Sequence, residues 1–136
     1  MNGESKVVII IGLPGSGKTT YSKTLSDTYE IHDDFIFNFF NGEVIKSIRN
    51  NRKVCLNDPR LCNISVFCKY MKKILKYIST DDIKLILYEN DIEKCRNNII
   101  RRGDYGNIEY NLNDFSSAYD INYYISYNHD IFSVYE

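Results

Sequence analysis

Three glycines, a lysine and two threonines fall at fixed spacing in Gly12-Leu-Pro-Gly15-Ser16-Gly17-Lys18-Thr19-Thr20. The run matches G-x-x-x-x-G-K-[ST] in full, directly after a β-branched apolar stretch and directly before a helical pattern. Glycines let successive backbone N–H groups curl around a phosphate without Cβ clashes, which makes an anion nest at a helix N-terminus. In such a nest Lys18 reaches the β- and γ-phosphates, and the Thr19 hydroxyl ligates Mg²⁺. Gly12, Pro14, Gly15, Ser16, Gly17, Lys18, Thr19 and Thr20 are therefore the expected nucleotide-binding residues, and Lys18 is also expected to act in catalysis.

Carboxylates and arginines supply the rest of a phosphoryl-transfer chemistry. Asp33 and Asp34 end the second predicted strand, where one of them, Asp33 ahead of Asp34, is placed to accept or orient the proton of an acceptor hydroxyl. An Asp pair there has a structural use as well, as the cap of a helix starting at Phe35. Asp58 follows the third strand in a Walker-B-like position suited to holding Mg²⁺, or serves as the turn residue before Pro59. Arg60 is placed to meet a phosphate on the acceptor or to lie on the surface. Arg96, Arg101 and Arg102 cluster on the helix after the fourth strand, where a planar guanidinium can cover the transferring phosphate. Arg101 and Arg102 are adjacent and point different ways, and Arg102, beside Gly103, is the one expected to face the site. Cations at a helix C-terminus also help its dipole without any catalytic role.

These residues need a scaffold, and the hydropathy pattern supplies one. Elements alternate between apolar β-branched runs and helical periodicity, which predicts an α/β fold with a largely parallel sheet. The strands expected are Lys6–Ile11, Tyr29–His32, Lys53–Leu56 and Ile83–Tyr88, with Asn122–Ser126 as the best candidate for a fifth. Helices are expected at Lys18–Thr28, Phe35–Asn50, Ile64–Ile78 and Asp91–Arg102, with a turn or two at Leu112–Tyr119. The last ten residues read equally as strand or helix. Ligand binding at the carboxyl edge of such a sheet is what brings the strand-end carboxylates to the loop.

The chain has 136 residues, enough for one domain with a real core, and its formal net charge of −1 implies no bulk attraction to nucleic acid or anionic membrane. Val7–Ile11 is too short to span a membrane and lacks the flanks of a signal peptide. Cys55, Cys62, Cys68 and Cys95 form no Cys-x-x-Cys pair, so they read as reduced thiols of a cytoplasmic protein. A GTPase would carry Asn-Lys-x-Asp, which is absent, and the chain is too short for a ring-forming ATPase with its helical lid. Elimination leaves a small-molecule or nucleic-acid kinase.

With these positions assembled, the chain resembles the polynucleotide-kinase and zeta-toxin-like group of P-loop kinases. The resemblance runs from Val7 to about Tyr119 and rests on residues 12–20, His32-Asp-Asp-Phe35, Leu56-Asn-Asp-Pro-Arg60 and Arg96–Gly103. It implies a three-layer P-loop NTPase fold of kinase type with strand order 2-3-1-4-5, ATP as donor and Mg²⁺ as cofactor. It assigns the general base to Asp33 and the lid arginine to Arg102. Two positions depart from the group: Phe35-Ile-Phe37 stands where an acceptor-gripping arginine is usual, and Asn98 stands where arginine is common.

The acceptor stays open among a nucleic-acid end, a nucleoside or nucleotide, and another small molecule. Phe35, Phe37, Phe39 and Phe40 read as a base-stacking surface or as core, and Lys69, Lys72, Lys73 and Lys76 as a phosphate track or a solvated helix face. The expected activity is a Mg²⁺-dependent kinase that moves the γ-phosphoryl of ATP. The competing readings are a nucleotide-binding regulatory or degenerate protein and an ATPase switch.

Overall fold

The computed structural model describes residues 5–103 and 107–135. Five strands, β1 (Val7–Ile11), β2 (Glu30–Asp33), β3 (Val54–Asn57), β4 (Ile83–Tyr88) and β5 (His129–Phe132), form one parallel sheet in the order β2-β3-β1-β4-β5. β1 is buried at every position and pairs with β3 on one side and β4 on the other, which is why its apolar run is continuous rather than alternating.

Alternate side chains feed two cores. Val8, Ile10, Cys55, Ile86 and Tyr88 point to one face, where Tyr21 and Leu25, from α1 (Lys18–Thr24) and its C-cap, cover them. Val7, Ile9, Ile11, Val54, Leu56, Leu85 and Leu87 point to the other. There they meet α3 (Glu43–Arg49), α4 (Ile64–Ile74), α5 (Ile92–Arg101), α6 (Asn107–Ala118) and α7 (Ile121–Tyr124). Helices on both faces of an all-parallel sheet make three layers, the α/β architecture of P-loop NTPases. No helix among the described residues is long and apolar enough to cross a membrane.

Several boundaries differ from the sequence expectation, each for a local reason. α1 ends at Thr24 rather than Thr28, because hydroxyls of Ser22, Thr24 and Ser26 bond back to carbonyls three residues earlier and compete with the helical ladder. The expected helix over 35–50 is broken into α2 (Phe35–Asn38), a 3₁₀ turn at Phe39–Asn41, and α3, with Gly42 at φ 74° between them. α4 stops at Ile74 rather than Ile78, ahead of a capping box that Ser79 and Asp82 build for the next turn.

The fifth strand is the largest correction. Residues 121–124 are helical, not extended, because Asp120 caps them by accepting from the Asn122 N–H at 3.1 Å. That turn drives Tyr124 fully into the core against Phe67, with its hydroxyl donating to the Leu61 carbonyl at 2.7 Å. β5 instead forms from His129–Phe132, an edge strand tied to β4 by a Lys84–Asp130 ion pair of 2.7 Å.

The aromatic cluster resolves as core in part. Phe35 and Phe39 are buried and meet Tyr70 edge-on at centroid distances of 5.6 and 5.0 Å. The side chains of Phe37 and Phe40 lie outside the described residues. On α4, Lys69 and Lys73 lay their ammonium groups over Tyr70 at 5.5 and 5.8 Å, and Lys73 also covers Phe39 at 5.6 Å. Two lysines of the stripe thus shield an aromatic seam.

Candidate functional site

The loop between β1 and α1 takes a shape that only glycine permits at two positions. Gly15 and Gly17 have φ of 85° and 109°, and a Cβ on Gly15 would stand 2.6 Å from the Cys95 carbonyl oxygen of α5. The Ser16 N–H closes the turn onto the Leu13 carbonyl at 3.1 Å. Ser16 Oγ is buried without a hydrogen-bond partner among the described residues, in the space that glycine leaves at position 12. Gly12 and Ser16 thus lie under the loop, while Pro14, Gly15, Gly17, Lys18, Thr19 and Thr20 face a cleft of about 190 Å³.

Lys18 is the loop's charged center. Its ammonium is buried and donates to the Leu13 carbonyl at 2.9 Å. Burial pushes its pKa down, against opposing pulls from Cys62, Cys95, Asp34 and Asp58. A buried ammonium held on one carbonyl is under-compensated, and an anion entering the cleft would relieve it.

β2 and β3 deliver the carboxylates. Asp33 pairs in register with Asn57 and accepts from its side-chain amide at 3.0 Å, and both line the cleft. Asp34 also lines it, from a left-handed conformation at φ 50°, with its N–H on the Asn57 carbonyl at 2.6 Å. Backbone held in that region at a site residue is a common companion of function. The alternative in which this pair caps the next helix does not hold: Asp34 makes no capping bond, and Asp58 reaches across from β3 to accept the Ile36 N–H at 3.3 Å.

Asp58 takes the turn role before Pro59 that the sequence also allowed, capping the 3₁₀ turn at Pro59–Cys62. It is fully buried, and both its oxygens are engaged. Oδ1 accepts from the Arg60 backbone N–H at 3.0 Å and from Nε at 2.9 Å, and Oδ2 accepts from Arg60 Nη2 at 2.7 Å as well as from Ile36. Arg60 is correspondingly drawn to Asp58, with its pKa raised chiefly by that hydrogen bond, and it does not line the cleft. Arg60 clamps Asp58 bidentately just after β3, and the Ile36 N–H bond to Asp58 ties that turn to the segment after β2. Thr19 lines the same cleft as Asp33, Asp34 and Asn57.

The three arginines separate. Arg102 caps α5 and lines the cleft. Arg101 turns away, donates to Asn98 Oδ1 and borders a separate depression with Lys94 and Asn97. Arg96 bonds Glu93 at 2.6 Å and Asn113 at 3.4 Å, and it too lies off the cleft. Three lining residues were not among the expected site residues, Asn57, Pro59 and Tyr135. Asn57 carried a signal, since it ends a strand beside Asp58. Tyr135 carried none.

Fold and loop together define a three-layer α/β protein of P-loop NTPase type. No family model matches the chain. An uncharacterized protein of Acanthamoeba polyphaga mimivirus, R277, is 38% identical over 138 residues that cover 98% of this chain and 99% of R277. The chain belongs to the same family as R277.

Proposed function

We propose that the chain is a Mg²⁺-dependent phosphotransferase of the small P-loop kinase type, taking the γ-phosphoryl of ATP to a hydroxyl or phosphate acceptor. One observation carries the reading: a single cleft gathers the glycine loop, Lys18, Thr19, the strand-end pair Asp33 and Asp34, and Arg102. A phosphate-binding loop that served only to bind would not need two carboxylates facing it, because they repel the ligand unless they act on an acceptor or a cation.

In this reading the loop N–H groups and Lys18 hold the phosphate chain, and the ammonium regains the compensation that burial denies it. Mg²⁺, held by Thr19 and the phosphate oxygens, would neutralise charge on the leaving side. Asp33, oriented by Asn57, takes the proton of the acceptor hydroxyl as its oxygen bonds to the γ-phosphorus. The bond from that phosphorus to the bridging oxygen breaks and ADP leaves. Arg102 covers the equatorial oxygens, and Gly103 behind it, at φ 82°, gives the arginine a hinge. Cytoplasmic action remains part of the proposal, on the strength of four unpaired thiols.

A second reading, nucleotide binding without productive transfer, is favored by Asp58, whose oxygens are already engaged by Arg60 and Ile36. Labelled γ-phosphate distinguishes the two. Wild type, Lys18→Ala and Asp33→Asn are given ATP, Mg²⁺ and a panel of 5′-hydroxyl oligonucleotides, nucleosides, nucleotides and sugars. A labelled acceptor that disappears with both variants is the expected result. Tight nucleotide binding with no labelled acceptor would move the assignment to the second reading.

A further inference from the structure

The segment after β5 lies against the phosphate loop, and the roles above leave it unused. Both backbone groups of Tyr135 are tied down. Its N–H donates to the Ser16 carbonyl at 3.4 Å, and its carbonyl accepts from the Asn98 side-chain amide at 2.7 Å. The same amide donates to the Gly15 carbonyl at 2.9 Å. Asn98 is buried, so water does not compete for these bonds, and Arg101 donates to its oxygen and fixes the amide's orientation. A single side chain on α5 thereby latches the segment to the loop.

The latch sets the Tyr135 ring on Gly17. A Cβ at position 17 would stand 2.9 Å from the ring's Cδ1, so glycine there serves the ring's approach as well as the backbone turn. Tyr135 is 44% exposed and lines the cleft, whereas Tyr88, Tyr119 and Tyr124 are buried. The cleft itself, at about 190 Å³, falls below the roughly 300–1,000 Å³ that encloses a whole drug-sized ligand. A nucleoside triphosphate seated by its phosphates must therefore lie partly across the rim. Asp33 and Asn57 end β2 and β3, with Asp34 next in the chain after Asp33, to one side of β1, while Tyr135 follows β5 on the opposite side. With the terminal phosphate toward Asp33, the nucleoside is directed toward Tyr135.

We propose that Tyr135 is the nucleobase platform of this cleft, with Asn98 as its positioning residue. The inference rests on the phosphotransferase reading and deepens it to donor choice. Tyr135 recognises the base by its face, and a ring face is tolerant of base identity. Adenine and guanine triphosphates are then both accepted.

Equilibrium binding with Mg²⁺ tests this, using ATP, GTP and inorganic tripolyphosphate against wild type, Tyr135→Ala and Tyr135→Phe. Tyr135→Ala is expected to weaken ATP and GTP about 10-fold each and tripolyphosphate less than about twofold, with Tyr135→Phe restoring the nucleotides. ATP and GTP should bind wild type within about fivefold of each other. Equal loss for tripolyphosphate and ATP would make Tyr135 a support of the loop and overturn the proposal. Unchanged affinities in Tyr135→Ala, or wild-type discrimination between ATP and GTP beyond about 100-fold, would overturn it too while leaving the phosphate site intact. If wild type bound none of the three ligands, this inference and the phosphotransferase reading would fall together.

Discussion

Asp33 and Asp58 each close a strand on the same side of β1, yet their surroundings give them opposite work. Asp33 is exposed in the cleft with one bond from Asn57, while Asp58 is enclosed and accepts four hydrogen bonds from Arg60 and Ile36. Asp58→Asn turns a charge acceptor into an amide facing donors, and it is expected to cost about 2–3 kcal/mol by urea unfolding, reduced from a fully buried pair because Arg60 is partly exposed. Asp33→Asn is expected to change stability by less than about 0.5 kcal/mol. A stable Asp58→Asn protein would refute the clamp. Lys18 carries the converse prediction. Burial lowers its pKa from 10.5, so the unfolded chain binds more protons as pH rises toward that value, and unliganded stability rises with it. Lys18→Met should flatten that slope and stabilise the unliganded protein at neutral pH by about 1 kcal/mol, about 4 °C in Tm. A destabilised Lys18→Met protein would mean that the ammonium is better compensated than its single carbonyl bond indicates.

At the scale of elements, contiguity decided what could be read in advance. The loop was legible because all its parts lie within nine residues, and β1, β3 and β4 because each carries a short, mostly apolar run. The α2–α3 break and the true β5 were not. Ile121-Asn-Tyr-Tyr-Ile125 alternates like a strand, and only the Asp120 cap and the Leu61 acceptor, 63 residues from Tyr124, make it a helical turn. The break at Gly42 was visible as a glycine inside a helical pattern, but not its left-handed conformation. A Cβ there meets nothing within 4 Å, so Gly42→Ala isolates the backbone term and is expected to cost about 1 kcal/mol in denaturant unfolding. Gly42→Asn should cost less, since asparagine tolerates that region. If both substitutions were neutral, α2 and α3 would be joined by a looser turn than the one described.

For the whole molecule, sheet order is what turns scattered residues into a site. Placing β1 between β3 and β4 sets the loop at the middle of the carboxyl edge, with Asp33 and Asn57 on one flank and Tyr135 on the other. None of the long-range partners could be read from local pattern: Asn98 acts through Gly15, 83 residues away, and Asn57 through Asp33, 24 away. The departure at Asn98, where the resembling kinases carry arginine, becomes intelligible once the residue is seen holding the loop and the segment after β5 together. The separation of Arg101 from Arg102 likewise follows from where α5 ends, which the adjacent pair in the sequence showed only as a divergence of direction.

The proposed phosphotransferase activity requires this cleft to transfer a phosphoryl group rather than only bind one. Its most direct test is the single-turnover rate of γ-phosphoryl transfer from saturating ATP, with Mg²⁺, to the acceptor identified by the panel, wild type against Asp33→Asn. Asp33→Asn is expected to lose about 100-fold or more in rate, with ATP affinity changed less than about threefold. Equal rates in the two proteins, or label released only as inorganic phosphate whatever acceptor is present, would contradict the proposal.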